Sequence, residues 1–149
     1  MSTRIDRSAL VMHTAQQMYD LVNDIESYPQ FMQGCQKARL ISRSENEVVG
    51  ELTLGAAGLK YSFTTRNTLV PGEEMRMELV EGPFRHFGAS WHFRALSPEA
   101  CKVSLEMEFD FTGGLIGAAL EKLFNHSANT LVDALVNRAN EVYGVQQGS

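Results

Sequence analysis

The chain is poor in cysteine, in positive charge and in long apolar runs, and each shortage closes off a class of function. Its two cysteines, Cys35 and Cys101, stand far apart in unlike contexts. They fit neither a disulfide framework nor a metal-ligand spacing, so a reducing cytoplasm is the expected home. No apolar run approaches the ~20 residues that a membrane-spanning helix needs. No basic n-region followed by an apolar h-region opens the chain, which speaks against export by that route. Lys and Arg number 13 against 18 Asp and Glu, for a net charge of −5. A sequence-independent grip on nucleic acid needs many cations at the phosphates, so DNA is not an expected partner, although a local basic patch stays open. The histidines, His13, His86, His92 and His126, include no pair at zinc spacing, and no metal is expected. No nucleophile with a base beside it appears, so no catalytic residue and no enzyme activity are expected.

What the chain does have is alternation, followed by one long helical period. From Cys101 to Phe111 every second residue is apolar and the residues between are polar, the mark of a strand with one dry and one wet face. The same pattern runs through Val48–Ala56, Leu59–Val70, Met75–Leu79 and Phe87–Phe93, with a less regular strand over Cys35–Ser44 and a first strand over Arg4–Met12. Glu106, Glu108 and Asp110 alternate onto the wet side and read as a charged outer wall. Between the strands stand Glu45-Asn46, Ala57-Gly58, Pro71-Gly72, Gly82-Pro83 and Ser97-Pro98, all turn chemistry. Connectors this short imply antiparallel neighbours. After the first strand, Thr14 and Gln17 form a capping box, and Met18, Leu21, Val22 and Ile25 make a buried helical stripe. Ser27-Tyr28-Pro29-Gln30 reads as the cap of a second short helix, ended by Gly34. A last helix from Gly114 to Tyr143 carries Ile116, Leu120, Leu123, Phe124, Leu131, Leu135, Ala139 and Val142 on one side. Its apolar, glycine-rich opening at Gly113–Ala119 suits a mobile entrance or a packed bend. The expectation is one α+β domain over residues 1–149, ordered from about 4 to 144: a curved antiparallel sheet of about seven strands around a long C-terminal helix. Gly148-Ser149 reads as an appended or frayed tail.

This order of elements is similar to the helix-grip arrangement of the START-like, polyketide-cyclase (SRPBCC) superfamily. The stretch from Met18 through Tyr28-Pro29 to Gly34-Cys35 resembles the opening signature of its coenzyme-Q-binding branch. So do Val80–Phe84 followed by Trp91-His92-Phe93, and Phe109-Asp110-Phe111 ahead of the last helix. Tyr61–Arg66 and Asn137–Tyr143 resemble the bacterial ribosome-association toxins still more closely. The resemblance covers nearly the whole chain, with its words in order at the expected distances. It implies two conflicting functions. One is binding of ubiquinone or a related isoprenoid quinone in support of respiration, without catalysis. The other is binding to the large ribosomal subunit as a toxin that blocks subunit joining.

The inward-facing set is Leu52, Leu54, Tyr61, Phe63, Met75, Met77, Trp91, Phe93, Met107 and Phe109. Leu120, Phe124 and Leu131 face it from the helix, and Tyr28, Phe31 and Phe84 stand at the rim. For any one of these, solid core is the ordinary role. The methionines adapt to a flexible apolar guest, and a single helix rarely fills a wide concave sheet, so a pocket of about 300–1,000 Å³ is the preferred expectation. It would hold a quinone ring and a few isoprene units, with Tyr28 or Tyr61 orienting the head. The rest of the tail would reach the protein surface or a membrane, giving the chain a peripheral place at the inner membrane. Non-enzymatic carriage of such a ligand is the preferred function. Ribosome association is the alternative, and a cyclase-type enzyme in the same cavity is a weaker one. Lys37, Arg39, Arg43, Lys60, Arg66, Arg76 and Arg94 share the outer face, interrupted by Glu51, Glu78, Glu106 and Glu108, a mixture that neither supports nor excludes RNA contact.

Overall fold

The computed structural model describes residues 2–56 and 58–144. The readings made on Ala57 and on Gly148-Ser149 fall outside the described residues. Strand β1 (Thr3–Val11) is followed by helix α1 (Ala15–Asn23) and a 3-10 helix (Ile25–Gln30). Six strands come next: β2 (Cys35–Arg43), β3 (Glu47–Ala56), β4 (Leu59–Val70), β5 (Glu74–Glu81), β6 (Phe84–Ser97) and β7 (Ala100–Phe111). Helix α2 (Gly114–Tyr143) closes the chain.

The strands form one sheet in the order β1-β7-β6-β5-β4-β3-β2, antiparallel throughout. β2 to β7 is a meander, as short turns require, and β1 joins at its β7 edge. The alternation read along β7 is the burial observed: Cys101, Val103, Leu105, Met107, Phe109 and Phe111 are buried. That face receives α2, whose 30 residues span roughly 45 Å at 1.5 Å each. α2 is tied to the β1 edge by Arg7 Nη2 to Asn129 Oδ1 (2.9 Å) and Thr3 Oγ1 to Glu121 Oε1 (3.0 Å).

Local chemistry explains the entry to α1. Thr14 Oγ1 accepts from Gln17 N–H (3.0 Å) and Thr14 N–H donates to Gln17 Oε1 (2.9 Å). Met18, Leu21, Val22 and Ile25 are buried as their spacing requires, and Tyr19 joins them. The second cap is corrected. The helix there is of 3-10 type and starts at Ile25, and Ser27 lies inside it, donating its hydroxyl to Asp24 Oδ2 (2.6 Å) rather than capping a backbone N–H. Two positions assigned to the buried side of α2 are also corrected. Ile116 is 69 % exposed and Val142 is exposed, each on an end turn of the helix and on its solvent side. In their place Gly117, Ser127, Ala128 and Val132 are buried. Gly117 is required there, since a Cβ would collide with the Thr112 carbonyl oxygen.

Candidate functional site

The concave face of the sheet and α2 enclose a chamber. Leu52 of β3, Phe63 of β4, Met77 of β5, Phe87 and Trp91 of β6 and Met107 of β7 form its floor and sides. Phe124, Ala128 and Leu131 of α2 form the roof, and Tyr28 and Met32 close one flank. The space open inside is about 20 Å³, room for about one water molecule. The expected pocket of several hundred cubic ångströms is therefore absent from this conformation. The reason is a ring cluster. Phe124 enters from α2 with its centroid 4.7 Å from Phe109 and 5.3 Å from Phe84, both edge-on. Phe84 lies 4.3 Å from Phe111 and 5.4 Å from Phe63. Edge-to-face contacts of this kind fill space efficiently.

Two tyrosines were candidates to orient a polar head, and the structure separates them. Tyr28 is buried with its hydroxyl donating to the Val22 carbonyl (2.6 Å). That proton is engaged, which removes Tyr28 as a free donor. Tyr61 is 8 % exposed, its ring stacked on Phe63 and edge-on to Phe111. Its hydroxyl is buried without a hydrogen-bond partner among the described residues. Burial pushes both phenols above their ordinary pKa of 10.0.

Tyr61 does not line the chamber; it lines a separate apolar hollow of about 230 Å³. Leu54 and Gly55 of β3, Gly34, and Leu123, His126 and Ser127 of α2 complete it. Gly34 has φ +79°, and a Cβ there would come 2.9 Å from Ser127 Oγ. Another hollow of about 390 Å³ lies near the Thr64↔Glu81 pair at the end of β5, and Gly82-Pro83 form part of its rim with Tyr61 and Phe63.

The other expected lining residues are elsewhere. Phe31 is half-buried outside the chamber, against Tyr28 (5.3 Å) and beneath the Arg138 guanidinium (5.9 Å). Phe93 is parallel to Trp91 and edge-on to Tyr19, under α1. Met75 pairs with Trp91 across the β5–β6 ladder and is fully buried. Leu120 is buried on α2 without reaching the chamber wall, and Phe84 sits in the ring cluster beside it. Met32, Phe87 and Ala128 line the chamber without having been singled out as ligand-facing. Phe87 stands on the same face as Trp91 in the Phe87–Phe93 alternation, so the sequence pattern already pointed to it.

Neither cysteine offers a reactive thiol. Both are buried, and burial pushes each thiol up to about 11. No group of three His, Cys, Asp or Glu able to hold a metal occurs among the described residues. On the outer face, Arg39 meets Glu51 (3.5 Å) and Arg66 meets Glu47 (2.9 Å) across strands, Arg76 meets Glu74 (2.9 Å) along β5, and the His86 ring lies 3.3 Å from Glu108 on β7. These pairs are exposed and contribute little to stability.

Comparison with known proteins places this geometry. Residues 11–136 match the family described as polyketide cyclase / dehydrase and lipid transport. The chain is 44% identical over 144 residues to the ribosome association toxin RatA of Pseudomonas aeruginosa, covering 97% of this chain and 100% of that one. It is 25% identical over 152 residues to the mitochondrial coenzyme Q-binding protein COQ10 homolog B of Xenopus laevis, covering 98% of this chain and 62% of that one. Among solved structures it shares the fold of the Zhui aromatase/cyclase of Streptomyces sp. R1128, with a TM-score of 0.83 at 16% identity and coverage of 98% and 100%. The helix-grip sheet, its α2 roof and these matches together make the chain a member of the START-like polyketide cyclase / dehydrase and lipid transport family.

Proposed function

We propose that the chain associates with the large ribosomal subunit through its outer surface and hinders subunit joining, without catalysing a reaction. The observation that carries this is the 44% identity across 97% of the chain to a protein named for ribosome association. This reverses the order in which the sequence placed the two functions. The chamber geometry supports the reversal, since about 20 Å³ admits no quinone ring unless the phenylalanine cluster is displaced. A cytoplasmic place follows from this reading. Among the described residues no helix is long and apolar enough to cross a membrane.

The test is sedimentation of the purified chain with isolated large subunits through a sucrose cushion. The chain is expected in the pellet at near-stoichiometric amounts, and in the supernatant with small subunits alone. Recovery only in the supernatant in both cases refutes the proposal.

One observation favours a second reading, an apolar guest with a hydrogen-bond-accepting head. The Tyr61 hydroxyl is buried without a partner among the described residues, beside an apolar hollow of about 230 Å³, and a buried donor left unpaired carries a cost that an accepting ligand would relieve. Mass spectrometry of organic extracts of the purified chain decides this reading. A prenyl quinone or other apolar amphiphile supports it, and a clean extract from freshly isolated protein rejects it.

A further inference from the structure

We propose that the hollow between the end of β3, the Gly34 loop and α2 is a binding site for a compact, uncharged ring compound carrying one hydrogen-bond-accepting group. This rests on the second reading above, in which an accepting guest pairs the Tyr61 hydroxyl, and gives that guest a place and a chemical class. The hollow is separate from the chamber, for the two share no lining residue. Its walls are tied to one another. Gly55 N–H donates to the Gly34 carbonyl (2.9 Å), which fixes the loop to β3. Gly34 takes φ +79°, and its lack of a Cβ lets the loop pass against α2, where Ser127 Oγ would lie 2.9 Å from such an atom. Hydrogen-bonded backbone and a long helix therefore frame the space, the pre-formed kind of site that small ligands use.

Size and lining select the guest. At about 230 Å³ the hollow is smaller than the roughly 300 Å³ at which drug-sized pockets begin and larger than the ~150 Å³ in which an apolar cavity takes benzene. It fits one six-membered ring with a few further heavy atoms, and a prenyl tail would have to leave through the mouth. Leu54, Ala56, Leu123 and the Tyr61 ring supply apolar wall, and no Lys, Arg, Asp or Glu lines it among the described residues. A charged guest would lose its water there without gaining a counter-ion. The Tyr61 hydroxyl, buried and without a partner among the described residues, supplies a donor for a carbonyl oxygen. Tyr61 also borders the hollow of about 390 Å³ at the end of β5, but Glu51 and Glu81 line that one. Ionised carboxylates accept and do not donate, so they repel an accepting head, and the hollow under α2 is the one that suits it.

The experiment titrates acetophenone, and separately its carbonyl-free analogue 2-phenylpropene, into the isotope-labelled full chain followed by amide NMR. Saturable shifts are expected at Gly34, Gly55, Leu123 and Ser127. Benzoate, with the same ring and a charge, should give no saturable shifts there. Tyr61→Phe should weaken acetophenone about tenfold, the worth of one buried hydrogen bond, and leave 2-phenylpropene unchanged. Ala56→Trp, at an exposed position on the rim, should abolish saturable binding of both by filling the hollow. No saturable shift with acetophenone, shifts centred on Trp91 and Met107 of the chamber, benzoate binding in the hollow, equal effects of Tyr61→Phe on the two probes, or wild-type affinity in Ala56→Trp each overturns the proposal. A prenyl quinone in the extract together with any of these results leaves the second reading standing and removes this proposal. A clean extract beside Tyr61-dependent acetophenone binding leaves the chemistry of the hollow standing and removes only the native guest.

Discussion

Replacing Phe124 by alanine tests whether the chamber is closed by ring packing. Phe124 is 1 % exposed, with its centroid 4.7 Å from Phe109, 5.3 Å from Phe84, 5.7 Å from both Phe63 and Phe111, and 6.2 Å from Phe87. Removal of a ring enclosed on this many sides costs about 3–5 kcal/mol, counting the lost transfer energy and the unfilled cavity together. At roughly 2–4 °C per kcal/mol for a chain of this size, the melting temperature should fall by about 6–20 °C. Trp91, the sole tryptophan, is buried beside the chamber, so its fluorescence reports urea unfolding. The midpoint should drop with the slope unchanged, because the surface exposed on unfolding is nearly the same. The vacated volume joins the existing space of about 20 Å³ and is lined by apolar groups, which makes a dry cavity able to take benzene or xenon. Benzene should therefore raise the melting temperature of the variant and leave that of the wild type unchanged. A loss under about 1 kcal/mol, or equal benzene stabilisation of both proteins, would show that the rings do not close the chamber.

The two buried tyrosines should respond oppositely to loss of their hydroxyls. Tyr61→Phe removes an unpartnered group and should be neutral or stabilising by up to about 1 kcal/mol, whereas Tyr28→Phe leaves the Val22 carbonyl unpaired and should cost about 1–3 kcal/mol. Urea titrations of the pair check this, and equal losses refute it. Thr14→Ala should cost about 1 kcal/mol by opening the capping box, read as a lower urea midpoint; no change would show that the cap contributes nothing. The thiols of Cys35 and Cys101 stand at about 11 against their ordinary 9.0, so the folded chain holds these protons more tightly than the unfolded one. Their contribution to stability is complete below pH 9.0 and is lost as pH rises toward about 11. The urea midpoint should decline over that window, and both thiols should react slowly with a disulfide reagent until the chain is unfolded; a flat midpoint or fast native labelling contradicts this.

The sequence carried the elements better than their fit. Leu59–Val70 and Gly114–Tyr143 stood out because an uninterrupted period of two or 3.6 residues leaves no choice of register, and both appear with those bounds. β6 was read from Phe87, yet it starts at Phe84. The register shift between Phe84 and His86 puts Phe84 and Phe87 on the same face, and strict alternation cannot express a bulge. Ser27 was read as a cap because Gln30 stood three residues on, but Asp24 competes for its hydroxyl. Asn67 and Thr65, polar residues on the inward side of β4, are buried because they bond to each other (2.9 Å). The chamber's size was the least legible quantity. Alternation says which side chains face inward, but whether six rings interlock or leave a void depends on rotamers and on where α2 drops Phe124. The hollow beside Tyr61 was equally hidden, since it arises only where the Gly34 loop, the end of β3 and α2 meet.

The most direct test of the proposed function is light scattering during the association of purified small and large ribosomal subunits in magnesium buffer, with the chain added to the large subunits first. The scattering increase that marks subunit joining should fall in proportion to added chain and reach its minimum near one chain per large subunit. An association curve that keeps its full amplitude at a molar excess of chain contradicts the ribosome reading.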